Sequence, residues 1–211
     1  PGVRTSECVA IIGTNDLHGV VEPQVLTVGE AKLRYGGVLA LSGYLEILRE
    51  RYGDRLLLVD GGDLYQGTIV SNLFEGRAVI EAYNRLGYAA SAVGNHEFDF
   101  GAGERGGDDK LAVVKQRIAE ASFPFLTLNI FDKATQQRVD WPNTRPSLLV
   151  DAGGLRVGIV GVSTVETPKV TRPENVTTLE FRDPVPLVIA EARKLRDEGA
   201  KLVVLIAHVG G

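Results

Sequence analysis

The sequence predicts an α/β domain, and three observations carry that prediction. Short apolar runs alternate with stretches of helical period along most of the chain. Strands separated by helices must pair in parallel, with the helices covering the sheet faces. One further pair of runs, around Gly153 and Gly154, is close enough in sequence to fold as a hairpin, which adds antiparallel pairing. The 211 residues, 44% hydrophobic and 24% charged, suit one ordinary domain or slightly more.

In chain order, "CVAIIG" (8–13) reads as the first strand, and Gly36 and Gly37 open a helix in "GVLALSGYLEILRERYG" (37–53). "RLLLVDGGD" (55–63), "AVIEAYNRLG" (78–87) and "AASAVGNH" (89–96) follow as strand, helix and strand. A helix in "DDKLAVVKQRIAEAS" (108–122) and a strand in "FPFLTLNI" (123–130) come next. The hairpin "SLLVDAGGLRVGIVGV" (147–162), the helix "PVPLVIAEARKLRDEGA" (184–200) and the strand "KLVVLIAHVGG" (201–211) complete the series. "GAGERGGDD" (101–109), Gly-rich and charged, is a solvated loop before a helix and has no phosphate-loop pattern. No linker and no internal repeat divides the chain.

Charge and composition exclude several classes. With 23 Lys plus Arg against 27 Asp plus Glu, a net charge of −4, the chain lacks the basic face that binding a nucleic-acid polymer needs. No apolar run approaches the roughly 20 residues that span a bilayer. The single cysteine, Cys8, forms no internal disulfide, and its place at the head of an apolar run predicts a small buried thiol.

Function concentrates where the strands end, because ligands of open α/β sheets bind at the carboxyl ends of strands. The first strand exits through "GTNDLHG", with Asp16 and His18, and the second through "VDGGDLYQG", with Asp60 and Asp63. The third exits through "GNHEFDFG", with Asn95, His96, Glu97 and Asp99, and the last through "IAHVGG", with His208. All three histidines of the chain therefore fall at strand exits, beside carboxylates. In extended backbone the side chains of Asp16 and His18, two residues apart, leave the same side and can grip one ion. Imidazole nitrogen mixed with carboxylate and amide oxygen suits Zn, Mn, Fe, Co or Ni rather than Ca, and the lack of thiolates argues against a closed structural zinc site. A carboxylate such as Asp63 could bridge two ions roughly 3.5–4 Å apart, the spacing that clamps a phosphoryl group. Among the neighbours, Glu97 either bonds loop backbone or takes a direct catalytic part, the structural reading is favoured for Asp60, which fastens its own turn, and Phe98 and Phe100 pack. Asn129 either caps a turn or approaches the site.

The blocks "NDLHG", "GD" and "GNHEFDFG", in that order and followed by His208, resemble the calcineurin-like metallophosphoesterases. "GGDLYQGT" and "EAYNRLGYAASAVGNHEFDFG" are similar to the 5′-nucleotidase branch of that family. The resemblance implies a sandwich of mixed β-sheets flanked by helices. It implies two divalent metal ions, the first held by Asp16 and His18, the second by Asn95 and His208, with Asp63 bridging. It further implies a catalytic dyad of His96 and Asp99, in which His96 stabilises the transferring phosphoryl group or protonates the leaving alkoxide and Asp99 orients its ring. The implied reaction is phosphomonoester hydrolysis by in-line attack of a metal-bound hydroxide on a small-molecule phosphoester or nucleotide, in the periplasm or outside the cell. Cyclic-nucleotide, UDP-sugar and thiosulfate esters are the alternative substrates, and a metal- or nucleotide-binding module without catalysis is the alternative class. The family pattern continues with a Gly-His-x-His block and a C-terminal domain that holds the base, neither of which lies within 1–211. By the resemblance, residues 1–211 are expected to be the N-terminal part of a catalytic domain, incomplete at its C-terminus and weakly active alone.

Overall fold

The computed structural model describes residues 8–104 and 106–209. Strand β1 (Ala10–Thr14) is followed by β2 (Gln24–Val28), β3 (Ala31–Tyr35), helix α1 (Gly37–Tyr52), β4 (Leu56–Asp60), α2 (Ile69–Leu73), α3 (Arg77–Leu86) and β5 (Ala90–Ala92). Next come α4 (Ala112–Glu120), β6 (Phe125–Leu126), β7 (Ile130–Asp132), β8 (Thr144–Arg145), β9 (Ser147–Ala152) and β10 (Leu155–Ser163). Helix α5 (Thr167–Val170), β11 (Leu179–Phe181), α6 (Pro184–Asp197) and β12 (Leu202–His208) complete the order. Among the described residues no helix is long and apolar enough to cross a membrane.

Two sheets form the sandwich. The first runs β1-β4-β5-β6-β8, parallel throughout, and the second runs β12-β10-β9, with β10 parallel to β12 and antiparallel to β9 across the Gly153–Gly154 turn. Side-chain alternation builds the layers. Leu58 of β4 points to the core shared with Leu45, Ile80, Tyr83 and Ile118, so α1, α3 and α4 cover one face of the first sheet. Leu57 and Val59 point the other way and meet Val157 and Ile159 of β10 and Ile206 of β12 between the sheets. The opposite residues of β10, Val160 and Val162, pack on Leu195 of α6, which closes the outer face. Gly161 marks where the sheets come closest, since a Cβ there would collide with that of Leu126.

Two expectations are corrected and one element is added. The run 123–130 is two strands in different sheets, because the buried Asn129 side chain bonds the backbone of Ser163 and Arg182 and turns the chain from β6 into β7. Asn129 is thus a structural clamp. The β2–β3 hairpin was not legible, and every residue of it is exposed. Cys8 is exposed, because the β1 ladder starts only at Ala10.

Beneath the strand exits lies a polar node in the strand register. Asp60 pairs with Thr14 of β1 on one side and Ser91 of β5 on the other, and its fully buried carboxylate accepts from Thr14 Oγ1 (2.6 Å), Tyr83 Oη (2.9 Å), Gly62 N (2.7 Å) and Ser91 Oγ (3.4 Å). The bond to Gly62 N is the turn-fastening role that the sequence suggests. Burial dominates and pushes the Asp60 carboxyl from its ordinary 3.8 up to about 6, against the pull of these donors. The folded chain therefore keeps this proton to higher pH than the unfolded chain. The associated stability is complete below pH 3.8 and is lost as pH rises through about 6. At about 1.4 kcal/mol per pKa unit, wild type should lose on the order of 3 kcal/mol relative to Asp60→Asn between about pH 4 and pH 7. Urea unfolding of both proteins across that range measures it, and a constant gap would mean that Asp60 stays ionised.

Candidate metal centre

The loops leaving β1 and β4 zip together beyond the strand ends. Gly61 N donates to Thr14 O (2.7 Å), Asp16 N to Gly62 O (3.0 Å), His18 N to Asp63 O (3.0 Å) and Gly19 N to Leu64 O (2.9 Å). Asp16 (φ 52°), His18 (φ 47°) and Asp63 (φ 58°) all adopt left-handed backbone. The extended backbone expected for Asp16 and His18 is thus replaced by a turn. Left-handed residues without glycine's freedom are uncommon, and here the cross-loop bonds hold them. The turn still brings the side chains together, with His18 Nε2 3.7 Å from Asp16 Oδ1 and 3.9 Å from Asp63 Oδ2. Asp16, His18 and Asp63 each present an atom able to ligate a cation, all within 4.8 Å of one another.

Asp63 is aimed by Glu97. The Glu97 carboxylate is buried and accepts from Asp63 N (2.9 Å), Leu64 N (2.7 Å) and Gly94 N (2.6 Å), the bonding to loop backbone that the sequence suggests. Burial, then the charge of Asp63, push Glu97 up to about 8, while the three N–H donors pull it down. Gly94 has no room for a side chain, since a Cβ would collide with Asp63 Oδ1 and lie 2.8 Å from Glu97 Oε2. Asp63 Oδ1 accepts from His96 N (2.9 Å), which leaves Oδ2 3.1 Å from His208 Nε2. Burial opposes the ionisation of Asp63, but the hydrogen bonds of His208 and His96 N and the nearby histidine charges outweigh it and hold the carboxyl below its ordinary range.

Each imidazole of the cluster is turned by a backbone carbonyl. His18 Nδ1 lies 2.9 Å from Gln66 O and His208 Nδ1 3.1 Å from Gly61 O, so both Nε2 atoms face Asp63. This carbonyl-to-imidazole pairing is the usual support of a metal-ligating histidine. Asn95 Nδ2 donates to Val170 O (2.9 Å), which assigns Asn95 Oδ1 to the His208 side, 3.1 Å from Nε2. Burial works against charging His208, yet Asp63 prevails and raises its imidazole to about 9. A cation bound at this nitrogen would displace its proton. The donor set of two imidazoles, two carboxylates and one amide oxygen fits a borderline divalent ion.

Beside the cluster, His96 opens a 3-10 turn (His96–Phe98) that returns Asp99 Oδ2 to within 2.6 Å of His96 Nδ1. The His96 ring stands edge-on to His18 at 5.2 Å between centroids. Phe98 is core, and Phe100 packs against it. A cleft of about 830 Å³ opens over Asp16, Asn95 and His208. The structure therefore gathers Asp16, His18, Asp63, Asn95 and His208 in one cluster and sets His96 and Asp99 against it. Sequence reasoning missed Val170, Thr171 and Asn175, whose bonds to Asn95 and the Asp99 turn span 72 to 77 residues of sequence. No local pattern announces them. The signal for Gly94 was present, as glycine at a strand exit marks close backbone approach.

Residues 9–211 match the family described as calcineurin-like phosphoesterase. Among curated proteins, the snake venom 5′-nucleotidase of Gloydius brevicauda is 35% identical over 204 residues, covering 96% of this chain and 33% of the relative. A 5′-nucleotidase of Vibrio cholerae is 32% identical over 210 residues, covering 96% of this chain and 34% of the relative. Among solved structures, the 5′-nucleotidase precursor of Thermus thermophilus superposes with a TM-score of 0.81 at 31% identity, covering 96% of this chain and 37% of that one. The chain thus spans about a third of the length of the curated relatives it matches. Matched over nearly its whole length and carrying this histidine and carboxylate cluster at its strand exits, the chain belongs to the calcineurin-like phosphoesterase family.

Proposed function

We propose that this chain hydrolyses phosphate monoesters of the 5′-nucleotide class with the help of two divalent ions. The observation that carries the reading is the position of Asp63 Oδ2, 3.1 Å from His208 Nε2 and 3.9 Å from His18 Nε2, between two sets of donors. Asp16 and His18 would hold one ion, Asn95 and His208 the other, and Asp63 would bridge. Ions so held would supply charge to offset that of the phosphoryl group and would activate water near neutral pH. The chain's own part is positional and acid–base. Asp99 fixes His96 Nδ1, leaving Nε2 to meet the phosphoryl oxygens or to give a proton to the leaving alkoxide. The same Asp63 that would bridge the ions accepts from His96 N, so dyad and ions share one reference point. A module that only binds metal or nucleotide has no chemical need for the dyad, which favours the enzyme. Similarity to a venom protein supports a site of action outside the cytoplasm.

Asp63→Asn should abolish turnover of AMP and lower bound Mn or Zn, because one carboxylate serves both ions; two retained ions with a near-normal rate would refute the bridge. His96→Ala should lower kcat by roughly 10²–10⁴ with metal content unchanged. The loss should shrink for nitrophenyl phosphate, whose leaving group needs no proton, if His96 is the acid. Gly94→Ala should weaken Mn or Zn binding by about 10- to 100-fold by moving Asp63, the range typical when a ligand's support is removed; calorimetric titration of the folded variant measures this.

A further inference from the structure

Asp99 is held from two sides. Oδ2 meets His96 Nδ1 at 2.6 Å, while Oδ1 accepts from Thr171 Oγ1 at 2.7 Å, across 72 residues of sequence. An ionised carboxylate only accepts hydrogen bonds, so the two oxygens divide their duties, one per partner. The arm that brings Thr171 is itself anchored. Thr171 N donates to Thr167 O (3.1 Å), and Thr167 Oγ1 donates to Thr164 O (2.7 Å). Four residues on, the buried Asn175 Nδ2 donates to Phe98 O (2.8 Å) and Asp99 O (3.2 Å). Gly101 makes room for this, as a Cβ there would lie 2.6 Å from Asn175 Oδ1. On the other flank, Val170 O accepts from Asn95 Nδ2. The same short arm therefore orients Asn95 through a carbonyl and Asp99 through a hydroxyl.

We propose that Thr171 is a positioning residue that sets the orientation of His96 through Asp99, an inference that rests on the phosphoester hydrolysis proposed above. The terminal torsion of an aspartate is broad and roughly two-fold, so a carboxylate tied by one oxygen alone can pivot away from its histidine. The Thr171 hydroxyl removes that freedom, and β-branching restricts its own χ1. Asp99 then presents Oδ2 to Nδ1 in one direction, which leaves Nε2 as the free nitrogen of His96.

Thr171→Val keeps the shape and removes the donor, whereas Thr171→Ser keeps the donor. The expected loss of kcat on an alkyl phosphomonoester is about tenfold, a part of the roughly 10²–10⁴ that a positioned acid–base group contributes, with KM within a factor of about two. Thr171→Ser should restore most of the rate. In an Asp99→Asn background, Thr171→Val should add almost nothing, because its effect passes through Asp99. An undiminished kcat in Thr171→Val, the same added loss in the Asp99→Asn background, or a serine variant as slow as the valine one would each overturn the proposal. Nitrogen-resolved imidazole NMR supplies an arm independent of turnover. The His96 Nδ1–H signal should be protected from exchange in wild type and Thr171→Ser and broadened in Thr171→Val, and an unchanged signal in the valine variant would also overturn it. If the metal-loaded wild type hydrolyses no phosphoester while that NMR contrast holds, the reading of function fails and the role of Thr171 in orienting His96 stands.

Discussion

The buried Glu97 carboxylate holds the candidate site in place. It gathers three backbone donors, from Asp63, Leu64 and Gly94, and so binds the exit of β4 to the exit of β5. The penalty is electrostatic, because Asp63 is a second carboxylate against it and both are buried. Desolvation and then repulsion from Asp63 resist ionising Glu97 and raise it to about 8. The partners that relieve this are the His208 imidazole, raised to about 9 by Asp63, and the His96 N–H dipole at Asp63. A divalent cation at the cluster would supply the same relief more strongly, since its charge would meet the buried negative charge directly.

The sandwich explains why His208, more than a hundred residues from Asp63 in sequence, meets it. β12 belongs to the second sheet, and its placement over the exits of the first is set by β10, where Ser163 pairs with His208 in register. Ser163 is fully buried, and its hydroxyl donates to Val93 O (2.5 Å) just beyond β5, while Asn129 bonds its backbone on both sides. This polar bolt between the sheets sits among apolar residues and gives a direction that packing alone does not. Hydrophobic contact between Val59, Ile159 and Ile206 brings the layers together. Ser163 fixes how far β10, and with it His208, can slide.

Much of this was legible in the sequence. The alternation of apolar runs and helical stretches gives the α/β class, and the placement of all three histidines at strand exits gives the location of the cluster. What stayed hidden has physical reasons. The β2–β3 hairpin carries Leu26, Val28, Leu33 and Tyr35 in exposed positions, so burial leaves no imprint that separates it from a loop. The split of 123–130 depends on a side-chain clamp to residues 163 and 182, and Thr171 reaches Asp99 from the connection between β10 and β12. Such contacts are made by the fold and have no local period. The neighbours Asp60 and Glu97 were readable in kind, as turn and backbone fasteners, but the depth of their burial was not.

The backbone at the cluster adds a last constraint. Three of its five members, Asp16, His18 and Asp63, sit at positive φ, where each non-glycine residue costs on the order of 1 kcal/mol. Glycine would adopt those angles freely but carries no ligand atom, so the side-chain chemistry and the backbone preference conflict at the same three positions. The conflict is settled by bonds within the chain itself: the cross-loop ladder from Thr14 to Leu64 and the three donors on Glu97. Strain held this way is imposed during folding, and the loss of stability falls on the folded chain. Were a cation bound there, the side chains of Asp16, His18 and Asp63 would already be gathered by the fold's own bonds, and the entropy of ordering them would not have to be met by binding.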